Sequence, residues 1–371
     1  MNGANSLIAI DARYVNGRMS GMARHTLNLL HGLQSAQTAS PLILLTSDPA
    51  VLPAEVRSNS AFRLLRVSGR PGPRDQWGLA RRLESEGVGL FCSLDAWTPM
   101  TGAFRRVITI YDLIPLLCRH HLRRSWKARL AVLWKAWLRM QCRRADAVIT
   151  VSRSSAEDII EHLGVPAEKV HVIYGGVHVG NDRTDRSPVE AAGGPYVLYV
   201  GRCDPYKNLC RLVEAFARVR QTRPALRLIV AGPRDPRYPE AEDAARRFGL
   251  DGAARFTGQI GDDELRALYR GASLLVMPSL FEGFGYPPLE AMGLGVPVVA
   301  SNVAALPEVC GDAALLVDPL DSPALAAAME RVLSDAPLAE TLRRRGLSQA
   351  ARFTTSAQAA QTLALCERLL K

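Results

Sequence analysis

The fold of this chain is constrained most by two series of short, nearly continuous apolar runs separated by stretches of helical periodicity. The first series occupies 7–11, 42–46, 62–67, 89–93, 107–111, 147–152 and 170–174, and the second occupies 196–201, 226–232, 254–258, 274–279 and 296–301. Such runs are typical of parallel strands that are buried on both faces. We therefore predict an α/β chain with two doubly wound, Rossmann-like domains.

A polar stretch separates the two series. Residues 180–194 read GNDRTDRSPVEAAGG and have no apolar periodicity, so we place a linker at 181–194. A length of 371 residues suits about two domains, which we assign to 1–180 and 195–354. We expect a C-terminal helix at about 355–371 to pack back on the first domain. Two such domains imply a deep cleft in which the carboxyl ends of the strands face each other and bind ligands.

The positive charge of the chain is confined to its first half. Residues 1–180 contain 23 Lys or Arg and 13 Asp or Glu, whereas 181–371 contain 23 of each, so the first half carries the whole net charge of +10. A one-sided field suggests that this half meets an anionic partner. No nucleic-acid motif accompanies the charge, so nucleic acid is not expected.

Much of this charge lies at 119–144, where nine residues are Lys or Arg and none is acidic. Apolar side chains recur there at helical spacing: Leu122, Trp126, Leu130, Leu133, Trp134 and Trp137. A basic amphipathic helix with Trp suits an anionic membrane surface. The alternative is that the stripe packs on the sheet of the first domain and the basic face is merely solvated. The candidate membrane and acceptor residues are Arg123, Arg124, Trp126, Lys127, Trp134 and Trp137.

Other features place the chain in the cytoplasm. The seven cysteines are scattered and form no C-x-x-C, which argues against a zinc ribbon or a disulfide framework. No apolar run reaches the roughly 18–20 residues that span a bilayer. The N-terminus lacks a basic n-region, so a signal peptide is not expected.

Lone histidines such as His25, His120 and His121 are expected at the surface.

A candidate anion site follows the first strand of the second series. In VGRCDPYKNL (200–209) the strand ends at Gly201, and Arg202 and Lys207 precede a helix. Backbone amides, a helix N-terminus and two cations together attract phosphate. The alternative is an ordinary strand–helix turn with solvated basic residues.

The stretch LFEGFGYPPLE (280–290) places Glu282 and Glu290 on either side of two glycines and two prolines. A helix is expected to begin near Pro287 or Pro288, which puts Glu290 in its first turn, where a carboxylate complements the helix dipole. The glutamates could be a catalytic pair, or one could be a helix cap and the other a loop residue. The glycine-rich turn would again present amides to an anion, so both loops direct positive potential towards the same cleft.

The combination of these motifs resembles the retaining glycosyltransferases of family 4, which have the GT-B fold. E-x7-E is followed by AMGLGVPVVASNVAALPEVCGDAALLVDP, and the other matching stretches are SGMARHTLNLLHGL, VITIYDLIPLL, ADAVITVSRSS, VIYGGV, VGRCDPYKN and FTGQIGDDELRALYRGA. The resemblance covers nearly the full chain. Each motif is weak alone, and the set is specific.

The resemblance implies one donor site. Arg202 and Lys207 would bind the diphosphate of a nucleotide sugar, Glu282 would face the transferred sugar, and Glu290 would hold the ribose hydroxyls. The other implied donor residues are Gly21, Gln259, Ile260, Gly283, Phe284 and Gly285. The leaving diphosphate would be stabilised by cations and a helix N-terminus, with retention of the anomeric configuration. No cofactor is expected, and the absence of a D-x-D motif means that no metal is required.

One departure from the family pattern concerns its H-D motif, where this chain has Tyr111 before Asp112. Tyrosine is a poor base near neutral pH, which puts a mechanism with a histidine base in doubt. Tyr111 and Asp112 stay candidates for positioning the substrate.

The expected function is transfer of a hexose, with mannose from GDP-mannose as the first choice, to a lipid-linked glycan in surface-polysaccharide or lipopolysaccharide biosynthesis. The closest resemblance is to O-antigen mannosyl- and rhamnosyltransferases, which implies peripheral association with the inner face of the cytoplasmic membrane. The alternatives are a rhamnosyl- or N-acetylglucosaminyltransferase, a nucleotide-sugar isomerase or hydrolase on the same fold, and a non-catalytic nucleotide-sugar binder.

Overall fold

The computed structural model describes residues 7–17, 20–36, 42–69, 73–122, 125–178 and 194–371, which form two compact units. The first unit contains Met1–Leu113, Val132–His178 and Phe353–Lys371, and the second contains Ile114–Ala131 and Val179–Arg352. The predicted linker at 181–194 lies outside the described residues except for Gly194.

The first unit has a seven-stranded parallel sheet in the order β3-β2-β1-β4-β5-β6-β7. Its strands are β1 (Leu7–Asp11), β2 (Leu42–Thr46), β3 (Phe62–Arg66), β4 (Val88–Ser93), β5 (Arg105–Thr109), β6 (Ala147–Thr150) and β7 (Val170–Val172). Its helices are α1 (Gly21–Gln34), α2 (Ala54–Arg57), α3 (Gly78–Ser85), α6 (Ala131–Arg144), α7 (Arg153–Asp158) and α15 (Thr355–Leu370).

The second unit has a six-stranded parallel sheet in the order β10-β9-β8-β11-β12-β13. Its strands are β8 (Tyr196–Val200), β9 (Arg227–Ala231), β10 (Ala254–Gly258), β11 (Leu274–Met277), β12 (Val298–Ser301) and β13 (Ala314–Val317). Its helices are α4 (Ile114–Leu117), α5 (Trp126–Arg129), α8 (Leu209–Thr222), α9 (Glu240–Arg247), α10 (Asp262–Gly271), α11 (Tyr286–Gly293), α12 (Leu306–Cys310), α13 (Ser322–Ser334) and α14 (Ala336–Ala350).

Both sheets confirm the predicted doubly wound class. In each unit the strand order reverses beside the first strand, between β1 and β4 and between β8 and β11. The central strands β2, β4, β8 and β11 are buried along their whole length, which explains their continuous apolar sequences. The pattern did not predict β13, a four-residue edge strand that is buried only at its first residue.

The segment Ile114–Ala131 differs from the expected boundary at residue 180, since it belongs to the second unit. Its buried side chains Ile114, Cys118, Leu122 and Ala128 form a small apolar cluster that packs against Tyr206 and Phe281. The segment therefore belongs to the second unit because its apolar side chains are buried there, although it lies within the first 180 residues of the sequence.

Helix α15 returns the chain to the first unit and packs closely on α1. A Cβ atom added at Gly32 would lie 2.0 Å from the backbone oxygen of Thr355, so only glycine allows this approach. Polar groups complete the contact: Asn28 Nδ2 donates to the Gly176 oxygen at 2.6 Å, and the Gly176 amide donates to Gln358 Oε1 at 2.9 Å.

Replacing Gly32 with alanine is expected to destabilise the protein by about 1–3 kcal/mol, because the added methyl group overlaps backbone atoms that cannot move independently. Chemical denaturation gives the free energy of unfolding. The matched control is Gly78→Ala in α3, where an added Cβ has nothing within 4 Å. Equal unfolding midpoints for the two variants would show that the α1–α15 approach is not tight.

Candidate functional site

The loops that follow β8 and β11 meet because these two strands are neighbours, with Leu274 opposite Val197 and Leu275 opposite Leu198. This is the point at which the strand order of the second sheet reverses. Crevices at such points are where doubly wound sheets bind ligands. The predicted residues Lys207 and Glu282 lie on these two loops.

Lys207 and Glu282 form a largely buried ion pair. The Lys207 Nζ atom donates to Glu282 Oε1 at 2.7 Å and to Oε2 at 2.9 Å. Ser279 Oγ donates to the same Oε1 at 2.6 Å. Only 7% of Glu282 is exposed, and Ser279 is fully buried. Three hydrogen bonds therefore fix the carboxylate and compensate its loss of hydration.

Asn208 joins the two loops, and the sequence did not single it out. It occupies the left-handed region with φ 62°, directly before α8. Its Nδ2 atom donates to the oxygens of Pro278 at 2.9 Å and Pro319 at 2.7 Å. The Leu280 amide also donates to the Tyr206 oxygen at 2.8 Å. Asn208 therefore holds the Lys207 loop against the loop that carries Glu282.

Arg202, the other predicted phosphate ligand, has an exposed guanidinium that pairs with a neighbouring carboxylate. Its Nε atom donates to Asp204 Oδ2 at 2.6 Å, and its Nη2 atom lies 3.6 Å from Asp235. A phosphate at this site would compete with Asp204 for the same guanidinium.

The turn after Glu282 is formed by Gly283, Phe284 and Gly285, which are all buried. Gly285 has φ 118° and precedes α11, which begins at Tyr286 with both prolines in its first turn. An L-amino acid with a side chain would be strained at that φ.

The prediction that Glu290 lies in the first turn is wrong. Helix α11 begins one residue before Pro287, so Glu290 is its fifth residue and lies beyond the first turn. Its Oε2 atom instead accepts a hydrogen bond from Tyr269 Oη at 2.8 Å. The Tyr269 side chain is buried and positions the carboxylate, a contact between distant positions that sequence spacing does not reveal.

Gln259 and Ile260 follow β10, with Gln259 exposed and Ile260 half-buried. Gly21 is exposed and is the first residue of α1, and an added Cβ there would meet nothing within 4 Å. Packing and backbone geometry therefore do not explain this glycine, and its role near the diphosphate stays a prediction.

The phenol hydroxyl of Tyr111 forms a hydrogen bond to the backbone of the first unit. Its Oη atom donates to the Leu94 oxygen at 3.1 Å, and Ser155 Oγ donates to the Tyr111 oxygen at 2.9 Å. Asp112 follows it and is half-buried. The role of either residue in positioning substrate stays a prediction.

The expectation that His25 lies at the surface is wrong, since it is 2% exposed. Its ring contacts the Tyr111 ring edge-on, with 5.0 Å between centroids. Burial lowers the pKa of His25 to about 4, so the ring is neutral at physiological pH. His120 and His121 are exposed, as expected.

The basic segment is not one amphipathic helix. Helix α5 ends at Arg129 and α6 begins at Ala131, with Leu130 outside both at φ −105° and ψ 36°. Leu130, Trp126 and Leu133 are all exposed. Arg123 and Arg124 lie outside the described residues.

The tryptophans of this segment have different environments. Trp137 packs partly buried against the core of the first unit, so the packing alternative describes it better than membrane contact. Trp126 is exposed, with Lys127 Nζ 6.0 Å from its ring centroid, and Trp134 is half-buried. No helix within the described ranges is long and apolar enough to cross a membrane.

Comparison with known families assigns both parts of the chain to glycosyltransferases. Residues 19–180 match the family described as "Glycosyltransferase Family 4", and residues 194–335 match "Glycosyl transferases group 1".

Two mannosyltransferases are similar to about two thirds of the chain. O-antigen chain mannosyltransferase B of Escherichia coli is 34% identical over 269 residues, which cover 70% of this chain and 69% of that protein. The MMP alpha-(1->4)-mannosyltransferase of Mycolicibacterium hassiacum is 34% identical over 259 residues, covering 67% of this chain and 61% of the relative.

Solved structures show the same fold at lower identity. Sucrose-phosphate synthase from Thermosynechococcus elongatus has a TM-score of 0.78 at 24% identity, covering 98% of each chain. WaaG, a glycosyltransferase involved in lipopolysaccharide biosynthesis, has a TM-score of 0.71 at 16% identity, covering 97% of this chain and 99% of that one. The two Rossmann-like sheets agree with the family matches and with the similarity to the E. coli mannosyltransferase. The protein therefore belongs to the family 4 glycosyltransferases of the GT-B fold.

Proposed function

We propose that the protein transfers a hexose, with mannose from GDP-mannose as the first candidate, from a nucleotide sugar to a lipid-linked glycan in surface-polysaccharide biosynthesis. The observation that carries this proposal is the Lys207–Glu282–Ser279 cluster beside the glycine turn at the strand reversal. The choice of mannose is supported by the names of the two mannosyltransferase relatives.

The cluster suits a nucleotide sugar because it offers both a cation and a carboxylate. A diphosphate would compete with Glu282 for the Lys207 ammonium, and the released carboxylate could then accept hydrogen bonds from sugar hydroxyls. Arg202 would add a second cation, and Glu290, oriented by Tyr269, would accept from the ribose hydroxyls. Gln259 and Ile260 would border the base.

The chemistry follows from charge on the leaving group. As the glycosidic bond breaks, negative charge develops on the diphosphate, and Lys207, Arg202 and the amides of Gly283, Phe284 and Gly285 would stabilise it. The acceptor hydroxyl would attack on the face that the diphosphate leaves, which retains the anomeric configuration. Its proton would pass to a departing phosphate oxygen, so the step requires neither a metal nor a histidine base.

We propose that the acceptor is an uncharged or anionic glycan carried on a lipid diphosphate. The protein would bind this acceptor at an anionic membrane surface, while peripherally associated with the inner face of the cytoplasmic membrane. The excess of cations in residues 1–180 supports this arrangement.

A thermal-shift and calorimetric comparison of GDP, UDP, ADP and dTDP tests the donor. GDP is expected to bind most tightly and to stabilise the protein by about 2.7 kcal/mol at a hundredfold excess over its Kd. The shift is expected to be unchanged by a chelator. Tighter binding of another nucleotide would reassign the base, and the absence of any binder would remove the nucleotide-sugar proposal.

Lys207→Met is expected to weaken nucleoside diphosphate binding about tenfold to a hundredfold, because a charge-assisted contact to phosphate is lost while the aliphatic stem stays. Calorimetry measures the affinity, and the melting temperature reports whether Glu282 tolerates the loss of its partner. Lys371→Met, which removes the same charge from an exposed terminus, is the control. Unchanged affinity in a folded Lys207→Met protein would place the phosphates elsewhere.

Glu282→Gln is expected to lower turnover roughly a hundredfold with little change in fold, because the amide keeps the size of the side chain and loses its charge. Ser279→Ala should lower turnover less, by about tenfold, since Lys207 still holds the carboxylate. Initial rates on a lipid-linked acceptor give both values. Normal turnover by Glu282→Gln would mean that this carboxylate does not contact the reacting sugar.

A further inference from the structure

The turn between β12 and α12 has a backbone conformation that is unusual for its sequence. Within the described ranges, Asn208 and Ala304 are the only residues other than glycine with a positive φ, at 62° and 52°. Asparagine tolerates the left-handed region because its short polar side chain can form local hydrogen bonds, and alanine lacks this compensation. The conformation of Ala304 is therefore imposed by its surroundings.

Ala304 occupies the first central position of a tight turn. The Leu306 amide donates to the Val303 oxygen at 3.3 Å, which closes a four-residue turn. Ala305, the second central residue, has φ −76° and ψ −13°. A turn with positive φ at its first central residue alone is of type II′, and Gly, Asn and Asp dominate that position. Backbone strain of this kind is concentrated at active sites and ligand-binding segments.

The turn at 303–306 contacts the segment that carries Glu282. The Ala305 amide donates to the backbone oxygen of Glu282 at 3.3 Å. Leu306 Cδ2 lies 3.0 Å from the position that a Cβ atom at Gly285 would occupy. Both Ala305 and Leu306 are fully buried, so these contacts are shielded from water. The turn therefore supports both ends of the segment from Glu282 to Gly285.

The hydrogen bond to the Glu282 oxygen also determines the direction of a neighbouring amide. The Glu282 oxygen and the Gly283 N–H belong to one planar peptide unit, and this unit is trans, so the two groups point in opposite directions. Glycine allows such a unit many orientations. A donor that holds the Glu282 oxygen therefore selects one direction for the Gly283 N–H. The Glu282 carboxylate is held separately, by Lys207 and Ser279.

We infer that Ala304 is a positioning residue of the donor site. Its left-handed conformation directs the Ala305 amide to the Glu282 oxygen, and this contact directs the Gly283 amide to the terminal phosphate of a nucleoside diphosphate. The inference rests on the proposed function, in which the Gly283 amide stabilises the leaving diphosphate. The effect of Ala304 passes through the backbone of the turn to the Glu282–Gly283 peptide.

Ala304→Val tests the inference, because a β-branched residue disfavours positive φ more strongly than alanine does. The variant should bind GDP about tenfold more weakly in calorimetry, since one hydrogen bond to a charged group is lost. Its affinity for GMP should stay within about twofold, because GMP lacks the phosphate that this amide would contact. A304G and A304N accept positive φ, so they should bind GDP within about threefold of wild type.

The matched control is Ala324→Val, which makes the same substitution at a half-buried alanine of helix α13 and should bind GDP as wild type does. A selective loss of GDP affinity in A304V, with recovery in A304G and A304N, supports the inference. Equal losses for GDP and GMP would indicate general disruption of the site and overturn it. Unchanged GDP affinity in A304V would overturn it too.

A crystal structure of the wild-type protein with GDP tests the same point without a substitution. The Gly283 amide nitrogen should lie about 3 Å from an oxygen of the terminal phosphate. Ala304 should keep its positive φ, and the Ala305 amide should still donate to the Glu282 oxygen. A Gly283 amide directed away from the phosphates would overturn the inference even if A304V fails to fold.

Nucleotide binding by the wild-type protein separates this inference from the proposed function. If the wild type binds GDP and A304V distinguishes GDP from GMP equally well, the role of Ala304 is contradicted and the donor proposal stands. If another base binds more tightly, its own diphosphate and monophosphate replace GDP and GMP. A wild-type protein that binds no nucleoside diphosphate would contradict the donor proposal itself, and the inference would fail with it.

Discussion

The second unit is organised around a largely buried ion pair between Lys207 and Glu282. Burying two charges is costly, and the pair is tolerated here because both carboxylate oxygens accept from the ammonium and Ser279 adds a third hydrogen bond. Such a pair is weak evidence for stability, since well-packed apolar residues would serve as well. Its position at the strand reversal, with Asn208 joining the two loops, is better explained by a need for fixed charges where a ligand binds.

Two glycines allow backbone conformations or contacts on which the two units depend. Gly285 provides the positive φ from which α11 begins, and that start places Glu290 where the buried hydroxyl of Tyr269 can orient it. In the first unit, Gly32 allows α15 to approach α1, so that the end of the chain completes the core containing Leu29 and Leu33. A side chain at Gly32 would overlap the backbone of Thr355, and a side chain at Gly285 would be strained at its positive φ.

The strands, the doubly wound class and the two charged loops were predictable because apolar runs and strand-end residues are local features. Strand β13 was missed because it is short and only partly buried. Ser279, Asn208 and Tyr269 could not be predicted, since their importance comes from contacts between distant positions of the chain. His25 was misplaced because its burial depends on the packing of α15, from which Gln358 approaches the ring at 3.1 Å.

The most direct test of the account is a crystal structure of the protein with GDP-mannose. In such a structure the diphosphate is expected to contact the Lys207 ammonium, and Glu282 is expected to accept hydrogen bonds from mannose hydroxyls. Glu290 is expected to contact the ribose while keeping its bond to Tyr269. A nucleotide bound elsewhere, with the Lys207–Glu282 pair and the Ser279 hydrogen bond unchanged, would contradict it. The ion pair would then be a structural feature of the second unit rather than its donor site.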